Sequence, residues 1–246
     1  MDFQHSADIW GDFPELVPGV LFAEGVRREV PPVGPRTARF TATASARLAG
    51  RSEAELPEVQ AWRRAFSRMG LKPTQYRCAS ESLLRRFRKE GSLPELHPLV
   101  DLCNAISLAF AIPVAVFDVC GITGGIEVRY ADGDEDYLTF SGETEHPAPR
   151  EVIFADAARR VHARRWTNRQ SGWSAMQDST GAALIVAEAL HDSADTDVRD
   201  LTQTLAAELE AVWSVTPAVA LLTPSSPRFA FASASAALRM TRLPEG

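Results

Sequence analysis

The hydrophobic pattern of this chain changes period at Pro113, and that change limits the folds open to it more than any other feature. From Pro57 onward apolar side chains recur every three or four residues, with Val59, Trp62, Phe66 and Met69 near one face and Gly70 as a stop. A second helix is predicted from Ser80, an apt N-cap with Glu81 at the positive end of the dipole, to a stop at Gly91. Its inward stripe is Leu83, Leu84 and Phe87. A third runs from Pro98 to about Ala111 and presents Leu102, Ile106 and Phe110. Beyond Pro113 the apolar runs shorten to strand length: Val114–Phe117, Ile126–Tyr130, Tyr137–Phe140 after the turn-forming Ala131–Asp134, and Glu151–Ala155.

Gly19–Val26 predicts an opening strand, followed by a connection rich in proline at Pro31, Pro32 and Pro35. Ala183–Ala187 fits a buried strand or the start of a helix, because so short a run has no measurable period. Asp195–Trp213 gives the clearest helix, with Val198, Leu201, Leu205, Leu209 and Val212 in one stripe. Helices and strands interleave without strict alternation, which predicts an α+β class: a multilayer mixed sheet with packed helices. The sequence from Thr223, rich in Ser, Ala and Pro, has little to bury and is expected to be a loosely held tail over 223–246. Gly121, Gly124 and Gly125 lie between two strands, so they read as tight turns needing positive φ, not as a phosphate-binding loop.

The three cysteines, Cys78, Cys103 and Cys120, are odd in number and lack C-x-x-C spacing, which suggests neither a disulfide framework nor a zinc site. The histidines, His5, His97, His146, His162 and His191, are scattered, and no cofactor or metal is expected. No secretory signal is evident, and the longest apolar run, Ala105–Phe117, is too short for a membrane span. The chain reads as cytoplasmic, with no membrane partner.

A formal net charge of −6 argues against indiscriminate nucleic-acid binding, DNA included, but the charge is polarised. Between Arg63 and Lys89 nine cations, among them Arg77, Arg85 and Arg86, face one acid, Glu81. A second cluster, Arg159, Arg160, Arg164, Arg165 and Arg169, contains no acid and encloses Trp166 and Asn168. Planar cations, an aromatic and an amide within eight positions form a set able to stack on a base and fork onto phosphate, or equally a structural arginine–aromatic network.

Several motifs in order carry a family resemblance. Leu96–Asn104 (LHPLVDLCN), Pro113 through Phe117 and Asp118, and Gly124–Arg129 (GGIEVR) resemble the editing domain of the phenylalanyl-tRNA synthetase beta subunit. Tyr76–Arg86 (YRCASESLLRR) and Arg164–Gln170 (RRWTNRQ) look like the free-standing relatives of that domain. The similarity spans most of 15–215, and the chain is too short to carry a class II synthetase core as well. The resemblance implies a single editing-type domain over 1–222 that hydrolyses a wrong amino acid from the end of an aminoacyl-tRNA, with a cognate synthetase as a further partner.

By the same resemblance, Glu188 and Asn104 are the catalytic residues. Glu188 would hold the water or the substrate ammonium, and Asn104 the scissile ester or ribose. Cys103, Ala115 and Arg164 fall on substrate-pocket positions where the family has a threonine, a histidine and a glycine, which leaves the amino acid removed open. Arg77, Arg85, Arg86, Arg165, Trp166, Asn168 and Arg169 are the expected tRNA-binding residues. Two rival readings remain: a noncatalytic tRNA-binding module, and a hydrolase of a small ester or amide.

Overall fold

The structure, a computed structural model, describes residues 1–232. In chain order its elements are β1 (Asp2–His5), α1 (Ala7–Asp12), β2 (Val17–Glu24), α2 (Gly34–Leu48), α3 (Pro57–Arg68), α4 (Ala79–Glu90) and α5 (Pro98–Phe110). Strands dominate the second half: β3 (Val114–Asp118), β4 (Ile126–Tyr130), β5 (Asp136–Leu138), β6 (Thr144–Glu145), β7 (Val152–Asp156), β8 (Arg160–Arg164), β9 (Arg169–Gln170) and β10 (Ala182–Ala189). Then come α6 (Ala194–Trp213), β11 (Ala218–Leu221) and β12 (Arg228–Ala230).

Two sheets form. One runs β12-β1-β4-β7-β8-β5-β6, with β9 on β8, and pairs β1 with β4 and β5 with β8 in parallel. The other, β11-β2-β10-β3, is antiparallel throughout. Alternation along β10 sets the layers. Ala183, Ile185 and Ala187 pack with α5 and α6 through Leu102, Ile106, Leu201 and Leu205, whereas Ala182, Leu184 and Val186 pack toward Phe3, Val128 and Phe154 of the larger sheet. The order of layers is therefore helices, smaller sheet, larger sheet, the multilayer α+β class predicted. A separate cluster of Leu48, Val59, Leu84 and Leu108 joins α2, α3, α4 and α5.

Ala183–Ala187 resolves as strand, and α6 matches its predicted stripe. Several boundaries are corrected. Cys78, not Ser80, is the N-cap of α4, and Ser80 is buried in the first turn; Gly91 ends that helix in the left-handed region at φ 76°. The strand predicted over Tyr137–Phe140 covers Asp136–Leu138, leaving Phe140 73% exposed. Of the three clustered glycines only Gly124 has positive φ; a Cβ on Gly121 would meet the Trp173 backbone and one on Gly125 the Asp2 backbone, so close approach requires those two. Part of the stretch expected to be loosely held is ordered: β12 pairs with β1, and Phe229 and Phe231 are buried. Residues 233–246 of that expectation lie outside the described residues. No helix among the described residues is long and apolar enough to cross a membrane.

Candidate active site

Because side chains alternate along β10, Glu188 points to the same face as Leu184 and Val186, between the two sheets. It is 2% exposed. Oε1 accepts two hydrogen bonds, from His5 Nε2 at 2.7 Å and from the Trp166 indole Nε1 at 2.9 Å. Oε2 has no protein partner among the described residues. Trp62 Nε1 donates to the Glu188 backbone carbonyl at 3.3 Å, fixing the strand as well as the side chain. A buried carboxylate is tolerated when hydrogen-bonded, and here all of the bonding falls on one oxygen.

Glu188 lines a cavity of about 70 Å³. Its apolar walls include Ala115, Phe154 and Val186, and its polar rim comes from Thr167, Asn168 and Gln170. Ala115 stands directly opposite Val186 in the β3–β10 register and lines the same cavity as Glu188. Thr167 Oγ1 is buried there without a hydrogen-bond partner among the described residues. A second cavity, of about 360 Å³, holds Asn104 together with His97, Val100 and Met176. Val114 and Gln170 line both spaces. The two residues expected to be catalytic therefore sit in adjoining cavities.

The remaining pocket positions are structural. Cys103 is 0% exposed in the core between α5 and the smaller sheet, where burial pushes its thiol far up and makes it no nucleophile. Arg164 is 5% exposed and bound: Nε and Nη2 grip Glu151 at 2.8 and 3.0 Å, and Nη1 meets Glu145 at 2.6 Å. It is absent from the lining of either cavity, so the substrate-pocket expectation for it is corrected.

Trp166 is also corrected. It is 0% exposed, wedged at right angles to Trp62 with ring centres 5.0 Å apart and against Phe13 at 4.7 Å, so it has no face to offer a base. Arg165 and Trp166 both adopt left-handed backbone, at φ 47° and 55°, a strained conformation for a large aromatic. The strain is held by two bonds from backbone N–H groups, Trp166 N to the Val152 carbonyl at 2.7 Å and Arg165 N to the Glu151 carboxylate Oε1 at 2.9 Å.

The two arginine clusters meet at one point. Asn168 Nδ2 donates to the Arg77 carbonyl at 2.7 Å, and the Arg165 guanidinium lies 4.8 Å over the Tyr76 ring. Arg77 reaches the buried Glu81 at 3.4 Å, Arg85 reaches Glu53 at 3.6 Å, Arg86 pairs with Glu90 at 2.8 Å, and Arg169 reaches Glu145 at 3.4 Å. These clusters thus spend much of their charge inside the molecule. Arg165 has no carboxylate partner for its guanidinium among the described residues.

His5 is the residue that sequence reasoning missed, since nothing in its spacing points to a carboxylate 183 positions away. A Ser–His–Asp set also exists, Ser174 Oγ at 2.9 Å from His162 Nδ1 and His162 Nε2 at 3.3 Å from Asp156, but Ser174 is 0% exposed and no substrate reaches it. Among the described residues two groups could hold a metal, Glu58 with His191 and Asp197, and Asp132 with Asp134 and Glu135. Arginines already serve both, Arg47 at 2.6 Å from Glu58 and Arg129 at 2.7 Å from Glu135.

The sequence that builds this fold matches a known domain family. The B3/4 domain profile matches residues 61–208, more than half of the chain, and the chain belongs to that family. Among similar proteins is the phenylalanine–tRNA ligase beta subunit of Cereibacter sphaeroides, 36% identical over 76 residues, which are 31% of this chain and 9% of that protein. The same subunit of Coxiella burnetii is 37% identical over 78 residues, 31% of this chain and 10% of that protein. The chain thus spans about a tenth of the length of the curated relatives it matches. A crystal structure of an N-terminal fragment of the phenylalanyl-tRNA synthetase beta subunit from Pyrococcus horikoshii overlaps 87% of this chain and 49% of that one, at 9% identity and a TM-score of 0.44. This chain is a homologue of the B3/4 domain of the phenylalanyl-tRNA synthetase beta subunit.

Proposed function

We propose that this domain is a trans-acting aminoacyl-tRNA deacylase, hydrolysing a mischarged amino acid from the terminal ribose. The observation that carries the reading is Glu188: a buried carboxylate anchored through Oε1 by His5 and Trp166, with Oε2 unpartnered and the side chain on the wall of a cavity. An aminoacyl ester is already activated, so a positioned water is a sufficient nucleophile. Glu188 Oε2 orients that water and takes its proton as the oxygen attacks the ester carbonyl. The proton then passes to the departing ribose hydroxyl. Thr167 Oγ1, without a hydrogen-bond partner among the described residues, supplies a donor for the developing oxyanion, whereas the amides of Asn168 and Gln170 are held by the Arg77 and Val116 carbonyls. The small volume at Glu188, about 70 Å³, favours a short amino-acid side chain over an aromatic one.

The test is a panel of misacylated tRNAs incubated with the protein and with Glu188→Gln, following amino acid released. Turnover on at least one member, lowered at least about 100-fold by the substitution, is expected. Tight binding to tRNA with no release from any member would replace this reading with a noncatalytic module. Turnover of small esters but of no tRNA would replace it with the small-molecule hydrolase.

A further inference from the structure

Glu58 is buried more deeply than an acid at a helix start requires. It stands in the first turn of α3, where a carboxylate complements the helix dipole from the surface, yet it is 7% exposed. Arg47, near the end of α2, meets only Oε1, at 2.6 Å, and directs its other terminal nitrogen to the Ala109 carbonyl at 2.8 Å. Oε2 is buried with no hydrogen-bond partner among the described residues. His191, between β10 and α6, is 6% exposed. Its Nε2 lies 2.7 Å from Asp197 Oδ2, and its Nδ1 is buried, again with no partner among the described residues. Asp197, in the first turn of α6, also accepts from Ser193 Oγ at 2.6 Å. Burial pushes its carboxyl up, but the hydrogen bonds of Ser193 and His191 outweigh it and hold the group below its ordinary value, so it is anionic at neutral pH. One ligand atom from each of Glu58, His191 and Asp197 lies within 4.8 Å of the other two.

We propose that Glu58, His191 and Asp197 bind a divalent first-row transition ion of the zinc class. One imidazole with two carboxylates suits such an ion, whereas magnesium and calcium prefer oxygen alone. Tetrahedral ligands about 2.1 Å from zinc stand about 3.4 Å apart, so separations of 2.7 Å between His191 and Asp197 and up to 4.8 Å across the set bracket that spacing. The Asp197 side chain, 32% exposed, gives the ion a way in from solvent and leaves room for water as a fourth ligand. Arg47 is then the hydrogen-bond partner of a ligating carboxylate, as outer groups are around metal sites. Two carboxylates against one guanidinium leave negative charge for a cation to match. On this assignment the ion ties α3 to the turn after β10. Trp62, one turn beyond Glu58, donates to the Glu188 carbonyl at 3.3 Å, so the tie braces the end of the strand that carries the acid. The proposal stands apart from the deacylase reading.

The experiment is calorimetric titration of the chelator-treated full chain with zinc, beside magnesium, with melting temperature followed by circular dichroism. Saturable binding of one zinc per chain is expected, with a rise in melting temperature of at least about 4 °C at a hundredfold excess over Kd and no saturation by magnesium. Glu58→Gln keeps the shape of the side chain and removes its charge; it should weaken zinc binding at least about 100-fold and abolish the rise. Asp197→Asn, at a partly exposed position, and His191→Ala should do the same, each with the circular dichroism of the native chain before metal is added. Asp134→Asn, in the other acidic group, should leave the titration unchanged. Absence of saturable zinc binding, binding that survives Glu58→Gln and Asp197→Asn, or binding lost instead in Asp134→Asn overturns the assignment. Should His191→Ala unfold, the two carboxylate variants decide the matter. None of these readouts needs turnover, so the metal site and the deacylase reading fail separately.

Discussion

The indole nitrogen of Trp166 donates to Glu188 Oε1 across 2.9 Å, while the ring itself is fully buried between Phe13 and Trp62. One residue thus supplies both apolar wall and polar anchor to the carboxylate. Its strained left-handed backbone is the means of turning the ring inward from the hairpin between β8 and β9. Sequence composition places Trp166 among cations, where an exposed stacking role is natural. Geometry gives it to the interior.

Trp166→Ala is accordingly expected to destabilise the fold by about 3 to 5 kcal/mol, as for other buried large aromatics, without altering the salt dependence of tRNA binding. Trp166→Phe keeps most of the packing and removes one donor to the carboxylate, a loss of about 1.5 to 3 kcal/mol. Denaturant unfolding of both variants, beside a salt titration of RNA affinity, separates the roles. Native stability with weakened RNA binding in Trp166→Ala would restore the stacking role.

Arg164 governs the acid limb of stability. Burial pushes the Glu151 carboxyl up, but the hydrogen bonds and charge of Arg164, with the Ala148 N–H, outweigh it and hold the group below its ordinary value of 4.5. A folded-state value depressed in this way contributes stability above the unfolded value, and that contribution is lost as pH falls through the folded one. Unfolding free energy should therefore decline as pH drops below about 4.5, the ordinary value. Arg164→Ala should cost about 3 to 5 kcal/mol at neutral pH and flatten the decline, because Glu151 is then buried without its cation. An unchanged pH profile in the variant would show that the pair does not set it.

Arg165 and Arg169 are the expected phosphate contacts, and Arg169 lines the Glu188 cavity. Replacing either by Ala should lower the slope of log affinity against log salt by about 0.7, the single-strand value per phosphate. The larger effect is expected at Arg165, since Arg169 shares Glu145 with Arg164. Slopes equal to that of the native protein for both variants would place the phosphates elsewhere.

The legible parts of this fold are those where one local rule decides. Five apolar residues in one stripe specify α6, and the left-handed Gly91 ends α4 as its position implies. Helix α2 escapes notice because it opens on Gly34-Pro35 after two further prolines and buries only Phe40, Ala44 and Leu48 amid Thr, Ser and Arg. Strand β8 is hidden by its own charges: Arg160, His162 and Arg164 look solvated, yet Arg164 is neutralised by acids from β6 and the loop before β7. Glu188 was locatable from the family motif, but its burial and anchors depend on chain segments far apart in sequence. The split between Asn104 and Glu188 has the same cause, since it arises from how α5 and β10 flank β3 in space.

The His5–Glu188 bond also has a bearing on when the site can exist. Joining residues 183 positions apart closes one of the longest loops available to the chain, and contacts of that separation form late because their entropy must be met by structure already assembled. Every wall of the small cavity comes from residues 79–188, the Trp166 anchor of the carboxylate included, whereas its second anchor, His5, arrives with β1, itself held between β4 and β12. The cavity can thus take shape before its acid is fixed in place. Full anchoring of Glu188 depends on β1 being in place in the larger sheet, and the state of the acid is tied to the integrity of a strand pairing far from it in sequence.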